Sequence, residues 1–179
     1  TSLTEQLGNG NESDISQTGN NNVAVSWQGL TGTSSEDNDN NVASVTQVGD
    51  SNAGNVFQLF STDGADDNNG AVTQTGDFNN GTIQQSGDMN ISTIDQMGDS
   101  NFSRNNQFGD SNTSDEDQVG DLNNSYTWQT GNSNASVMLQ TGDSNFSRVD
   151  QTGNMNISDV NQAGNSNNSD VDQLGDEND

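Results

Sequence analysis

The chain has 179 residues, a hydrophobic fraction of 25% and a formal net charge of −25. Such a composition is typical of disordered chains, which bury too little apolar surface to offset the entropy of ordering. The absence of Cys, His and Lys excludes disulfide, thiolate and histidine-zinc chemistry. Two arginines cannot form the basic surface that nucleic acid requires, so we expect no nucleic-acid partner.

No apolar run approaches the ~18 residues of a membrane-spanning helix, and we expect no membrane insertion. The sequence starts inside its repeating pattern at Thr1. We therefore expect a secreted protein from which a signal peptide has already been removed. Nothing in the composition calls for a cofactor, and none is expected.

Glutamine recurs every eleven residues through almost the whole chain, which predicts a repeat architecture rather than disorder. Only two intervals are longer, 19 residues from Gln28 to Gln47 and 16 residues from Gln58 to Gln74. They place loop insertions near residues 30–40 and 60–67. The glutamines predicted to form inward ladders are Gln17, Gln28, Gln47, Gln58, Gln74, Gln85, Gln96, Gln107, Gln118, Gln129, Gln140, Gln151 and Gln162.

Outside the two repeats that begin at Gln28 and Gln58, other residue types keep fixed distances from each glutamine. Glycine stands two positions later and is followed by Asp or Asn, a pair that favours a turn in which the Asp or Asn side chain bonds its own backbone. The turn glycines are Gly19, Gly49, Gly76, Gly87, Gly98, Gly109, Gly120, Gly131, Gly142, Gly153 and Gly164. Asparagine stands five positions after the glutamine, and the predicted ladder asparagines are Asn22, Asn52, Asn79, Asn90, Asn101, Asn112, Asn123, Asn134, Asn145, Asn156 and Asn167.

Offsets of five, seven, nine and eleven residues carry Asn, a small residue, usually Val or Ile, and the next Gln. This period of two predicts a β-strand with one specified, inward face. We predict an all-β solenoid of strand-arc repeats, with two repeats in each rung of ~22 residues, stacked into a cross-β fibre. One domain, residues 1–179, would hold fifteen half-repeats. An eleven-residue period also fits a right-handed coiled coil, but a glycine in every repeat and the lack of an apolar seam oppose helix.

The two insertions both follow odd-numbered repeats, so both should emerge from the same edge of the solenoid. Either they are tolerated surface insertions, or the acidic segment Ser34–Asn40 binds a partner.

The middle repeats lack Val or Ile at offset nine, where Asn105, Glu116 and Thr127 stand instead. Glu116 would point inward, which requires either a protonated carboxyl or a strand that opens to water. We expect this to be the least stable stretch of the chain, and uniform hydrogen-exchange protection there would contradict the expectation.

The basic residues share one outward column, in the predicted order Arg104, Tyr126, Arg148, Asp170. We expect a cation–π and ion-pair stack of small energetic weight. The Asp residues that follow the glycines suggest a calcium turn, but Asn replaces Asp in several repeats and the nine-residue β-roll motif is absent. We expect loose divalent screening and no specific metal site.

The pattern Gln-x-Gly-x-x-Asn-x-Ala-x-Val-x-Gln resembles the curlin repeat of bacterial curli subunits. It stands nearly unchanged at 17–28 and 47–58, and related spacing covers essentially the whole chain. The resemblance implies a secreted subunit that stacks with copies of itself into extracellular amyloid fibres of the biofilm matrix. It also implies a nucleator subunit and an outer-membrane secretion channel as partners. At the small position, seven residues after each glutamine, Ser replaces the Ala of the pattern from Ser92 onward. Whether the chain is a major subunit or a nucleator stays open.

Other function classes fit the sequence less well. A soluble monomeric solenoid that binds ice or polysaccharide needs a regular outward row, and the outward threonines are scattered. An enzyme would need a distinctive catalytic group, and no carboxylate pair stands apart from the many others.

Overall fold

The chain forms a column of fifteen strands in a computed structural model that describes residues 1–29, 39–59 and 66–179. No helix long and apolar enough to cross a membrane occurs in these ranges. The strands are β1 (Ser2–Gln6), β2 (Glu12–Thr18), β3 (Val23–Gln28), β4 (Val42–Val48), β5 (Ala53–Gln58), β6 (Asn69–Thr75), β7 (Asn80–Ser86), β8 (Ile91–Met97), β9 (Phe102–Phe108), β10 (Thr113–Val119), β11 (Asn124–Thr130), β12 (Ala135–Thr141), β13 (Phe146–Thr152), β14 (Ile157–Ala163) and β15 (Asn168–Leu174).

Odd-numbered strands form one eight-stranded sheet and even-numbered strands form a seven-stranded sheet. All pairings are parallel, and each places glutamine beside glutamine, as in Gln107↔Gln129. An odd strand, the next even strand and their two arcs make one rung, and rung partners such as these two lie 22 residues apart in sequence. The predicted all-β solenoid with ~22-residue rungs is therefore confirmed. The two predicted insertions fall mostly on 30–38 and 60–65, which lie outside the described residues.

The strands alternate between buried and outward positions, as their period of two requires. The apolar core divides into two clusters. The first is Ala24, Ala43, Val45, Val56, Val72, Ile83 and Ile94, with Ile15 against it, and the second is Met138, Val149 and Val160, with Val171 against it. Between them the inward positions belong to Asn105, Glu116 and Thr127, all buried. The expected polar break in the core is thus present, and of the two readings for Glu116 the structure shows a buried carboxyl.

The arcs use two left-handed backbone positions in each repeat. The turn glycines have φ between 101° and 124°, a conformation that costs little only without a Cβ. Two residues later a second residue has φ near +58°, and this one is seldom glycine: Phe78, Met89, Leu122 and Met155 occupy it. The two positions together reverse the chain between the sheets.

Assembly surfaces of the solenoid as the candidate functional site

The inward glutamines form two continuous hydrogen-bonded ladders along the column. In the odd sheet each Nε2 donates to Oε1 of the glutamine in the next rung, over 2.7–3.0 Å from Gln6 to Gln173. The even sheet repeats the arrangement from Gln17 to Gln162. The interior glutamines are fully buried, whereas Gln17, in an outer rung, is only half-buried.

Each buried glutamine also ties the two sheets together. Its Nε2 donates a second hydrogen bond to a backbone carbonyl of the preceding strand, as Gln107 does to Ile91 at 2.9 Å and Gln118 to Phe102 at 2.9 Å. Both amide protons and one oxygen lone pair are therefore satisfied in the interior. This satisfaction explains how a sequence with few apolar residues keeps a dry core, since an unpaired buried amide would cost about 1–3 kcal/mol.

The asparagines form a parallel pair of ladders at the arcs. The Oδ1 of Asn79 accepts the backbone N–H of Asn101 at 2.9 Å, and its Nδ2 donates to the carbonyl of Gly98 at 2.7 Å. The same two contacts recur at interior ladder asparagines such as Asn101 and Asn123, whereas Nδ2 of Asn145 and of Asn156 donates to the ladder asparagine 22 residues earlier. Most are buried, and Asn167, in an outer rung, is half-buried.

The Asp or Asn after each glycine bonds the neighbouring rung and not its own backbone, which corrects the sequence-based expectation. Asp99 Oδ1 accepts the N–H of Asp77, and Asp121 Oδ1 accepts the N–H of Asp99, each at 2.8 Å. Because Asn supplies the same oxygen, it replaces Asp without loss of the contact, as at Asn132. Within the described residues no group of three or more acidic side chains is arranged to hold a metal ion.

The turn glycines pack so closely that an added methyl group would strike the next rung. A Cβ on Gly98 would overlap the carbonyl oxygen of Gly120, and the other interior turn glycines have the same geometry. Gly164 differs, since the nearest atom to its Cβ would be Asn167 Nδ2 at 3.7 Å. In the interior, both the positive φ and the lack of room for a Cβ require glycine. At the outer rung, only the positive φ requires it.

This difference gives a direct stability test. We expect Gly98→Ala to lower the free energy of unfolding by about 2–3 kcal/mol more than Gly164→Ala, because both substitutions strain φ and only the first displaces backbone. Urea denaturation followed by circular dichroism would measure both. Equal losses would mean that the rungs can separate at the arcs without cost.

Glu116 lies fully buried between Ile94 and Met138 in the inward column of the even sheet. Its Oε2 accepts hydrogen bonds from Ser103 and, at 2.6 Å, from Ser125. Burial raises the pKa of Glu116, and the two serine hydrogen bonds oppose that rise only in part. Asn105 faces Oε1, and two arrangements satisfy that contact: a protonated carboxyl that donates to the amide oxygen, or an amide turned to donate its nitrogen.

Both arginines lie on the outward face of the odd sheet among aromatic side chains. The predicted column Arg104, Tyr126, Arg148, Asp170 is confirmed by the strand register. The predicted ion pair with Asp170 is wrong, because Arg148 pairs with Asp150, on its own strand, at 2.7 Å. The aromatic contacts of Tyr126 are with Phe102 and Phe146, at ring-centroid distances of 5.3 and 6.0 Å.

Sequence reasoning missed the second left-handed arc position and the aromatic side chains around Tyr126. The arc position varies among Ser, Asn, Asp, Gly, Met, Phe, Leu and Glu, so composition gives no signal for it. The aromatic residues carried a signal, since Phe102 and Phe146 stand at equal offsets four repeats apart. Their strands bracket β11, and that places Tyr126 between them.

Comparison with known proteins supports the repeat assignment. The family model for the curlin associated repeat matches residues 65–96 and 137–164. A search of the curated proteins found no match. The matched segments lie in β6–β8 and β12–β14, and the same glutamine, asparagine and glycine geometry continues through the other strands. The chain therefore carries curlin associated repeats in both matched segments.

Proposed function

We propose that this protein is the structural subunit of a curli-like extracellular fibre, built by end-to-end stacking of the solenoid and serving the biofilm matrix and adhesion. The observation that carries the proposal is the equivalence of the rungs. Each interior rung meets the next through the same glutamine, asparagine and arc hydrogen bonds, such as those from Gln85 to Gln107 and from Gln107 to Gln129. A contact that joins two rungs of one chain can equally join rungs of two chains.

The outermost rungs of the described structure leave that contact open. β1 and β2 at one end, and β14 and β15 at the other, each pair with one neighbour only. The inward residues of β15 are half-buried, and a groove of about 510 Å³ lined by Val160, Gln162 and Val171 exposes the end of the core. An unpaired sheet edge is a template for a further strand. A second chain in register would cover this groove.

A nucleator subunit and an outer-membrane secretion channel are the partners that the family resemblance suggests for this fibre. Secretion to the cell surface belongs to the same proposal. Curlin repeats are structural and non-enzymatic, and we propose no catalytic role. The competing function is a soluble solenoid that binds ice or polysaccharide as a monomer.

The open outer glycines provide the test. The double variant Gly164→Ala/Gly175→Ala should fold as the unmodified chain does, with a modest loss of stability, because neither added methyl group meets an atom of its own chain closer than 3.7 Å. In a stacked fibre the same methyl groups would strike the arc carbonyls of the next subunit. We therefore expect loss of fibre elongation, measured by seeded growth and electron microscopy at neutral pH.

Asn161→Ala is the matched control, since it alters an exposed outward side chain of the same rung and should leave elongation unchanged. Fibres from the glycine variant at the unmodified rate would rule out stacking through these arcs. A persistently monomeric unmodified chain would favour the binding-module function.

A further inference from the structure

The outward face of the odd sheet carries a compact patch that combines positive charge with aromatic surface. We call it the cationic patch: Phe102, Arg104, Tyr126, Trp128, Phe146 and Arg148 on β9, β11 and β13. Both arginines of the chain are here. Their side chains are exposed, Trp128 is 45% exposed, and a groove of about 270 Å³ lies among them.

Arg104 is the less neutralised of the two cations. Its Nε contacts the amide oxygen of Asn106 at 3.4 Å, a long hydrogen bond to a neutral group. Arg148 is paired with Asp150. An exposed guanidinium beside aromatic rings favours a carboxylate partner that also offers apolar surface.

The opposite face of the solenoid carries such a surface at the same level of the column. We call it the acidic patch: Asp95, Asp115, Asp117, Val137 and Leu139 on β8, β10 and β12. Ile91, Met97 and Val119 are exposed beside it. In the described part of the chain the single salt bridge is Arg148–Asp150, so these carboxylates have no cationic neighbour.

The carboxylates of the acidic patch also crowd one another. Partial burial raises the pKa of Asp95 and of Asp117, and the charge of Asp115 raises both further. A cation placed over this group would relieve the repulsion. The two patches are thus complementary in charge, both contain apolar surface, and they lie back to back on one molecule.

We propose that the cationic patch of one filament docks onto the acidic patch of a neighbouring filament of the same chain, so that curli-like filaments associate laterally in groups of two or more, sheet face against sheet face. This inference rests on the proposed function, because it concerns filaments. The arcs are the alternative contact edges, and their stacked aspartates, such as Asp77, Asp99 and Asp121, repel one another across filaments. Lateral contact is therefore directed to the faces.

The small area of the patches explains why filaments, and not single chains, associate through them. Three strands of seven residues present a face of roughly 330 Å², from ~3.3 Å per residue and ~4.8 Å between strands, whereas a stable complex buries about 800 Å² on each partner. One patch alone is too small to hold two single chains together. Repetition in every subunit of a filament converts the weak contact into a strong one.

Reciprocal charge reversal tests the docking. Filaments of the unmodified chain, of Arg104→Glu/Arg148→Glu and of Asp95→Arg/Asp117→Arg are grown separately at about 0.15 M salt, where charges separated by more than ~8 Å are screened. Cryo-electron microscopy then counts the filaments in each bundle. We expect bundles of two or more filaments from the unmodified chain, single filaments from each variant alone, and bundles again when the two variants are mixed.

Glu12→Arg/Asp14→Arg is the matched control, because it reverses two exposed acidic residues on the same sheet face at β2, away from the acidic patch. It should pair as the unmodified chain does. Single filaments from the unmodified chain would overturn the lateral contact and leave end-to-end assembly intact. The absence of filaments would overturn both.

An anionic polysaccharide is the other candidate for the cationic patch, and co-sedimentation with alginate, against neutral dextran, separates it from docking. If Arg104→Glu/Arg148→Glu abolishes alginate binding while filament pairing is unchanged, the patch is a glycan site and the docking proposal is wrong. Alginate binding unaffected by the variant, together with lost pairing, supports docking.

Discussion

Replacing Glu116 by Met should raise the free energy of unfolding by about 2–4 kcal/mol at neutral pH. The carboxyl is fully buried, and the stacked neighbours of Glu116 in its column are Ile94 and Met138. A methionine there would connect the two apolar clusters that Asn105, Glu116 and Thr127 now separate. It would also remove the need to desolvate a charge. Equilibrium urea denaturation of the purified, unassembled chain measures the difference.

The same substitution should change how stability depends on pH. Because burial raises the pKa of Glu116 above its unfolded value of 4.5, the folded chain binds a proton more tightly than the unfolded chain does. The stability of the unmodified chain therefore falls as pH rises from about 4.5 through the raised pKa. In Glu116→Met this contribution is absent, so the stability difference between the two proteins should grow with pH.

Asp115→Asn is the control for Glu116→Met, because it removes the adjacent exposed charge and leaves the buried carboxyl in place. Its effect on stability should be much smaller. A Glu116→Met protein that is no more stable than the unmodified chain at pH 7 would show that the hydrogen bonds from Ser103 and Ser125 fully offset the burial of Glu116.

Gln107→Glu should lower the free energy of unfolding by about 3–5 kcal/mol at neutral pH. The glutamine is fully buried, and its Nε2 donates to Gln129 at 3.0 Å and to the Ile91 carbonyl at 2.9 Å. A carboxylate of the same shape offers no donor to either oxygen, so three acceptors would face one another in a dry interior. Thermal and urea denaturation would measure the loss.

Gln173→Glu is the matched control for Gln107→Glu. Gln173 donates to the Ile157 carbonyl and accepts from Gln151, but in the described structure it is only half-buried and donates to no further glutamine. We expect a far smaller loss there, since water can solvate the charge. Equal losses at the two positions would mean that water reaches the interior ladder.

Much of the fold could be predicted because one face of each strand is fixed by physical requirements that repeat. An amide side chain donates two hydrogen bonds and accepts one along the column, as Gln107 does. Only glycine fits beneath the carbonyl of the next rung, as at Gly98. Glutamine and glycine therefore recur at constant spacing. The same regularity predicted the buried position of Glu116, which stands where Val or Ile would otherwise lie.

The remaining features depend on contacts between rungs that sequence spacing does not reveal. The Asp oxygens after each glycine serve the backbone of another rung, as Asp99 does for Asp77. Arg148 forms an ion pair with Asp150, two residues along its own strand, at 2.7 Å, and not with Asp170 of the neighbouring strand. Outward side chains have several partners within reach, and the choice among them follows from rotamer geometry.

The unequal spacing of the first rungs has a consequence for how the chain finds its alignment. Most rung partners are 22 residues apart, but Gln28 and Gln58 are 30 apart, and Gln47 and Gln74 are 27 apart. Identical ladders make a strand that is shifted by one full turn almost as well bonded as the correct one. A shifted chain, however, would have to accommodate the extra residues of β3–β4 or β5–β6 inside a turn too short for them. The two long connections thus fix one pairing register in a chain whose repeats are otherwise nearly interchangeable.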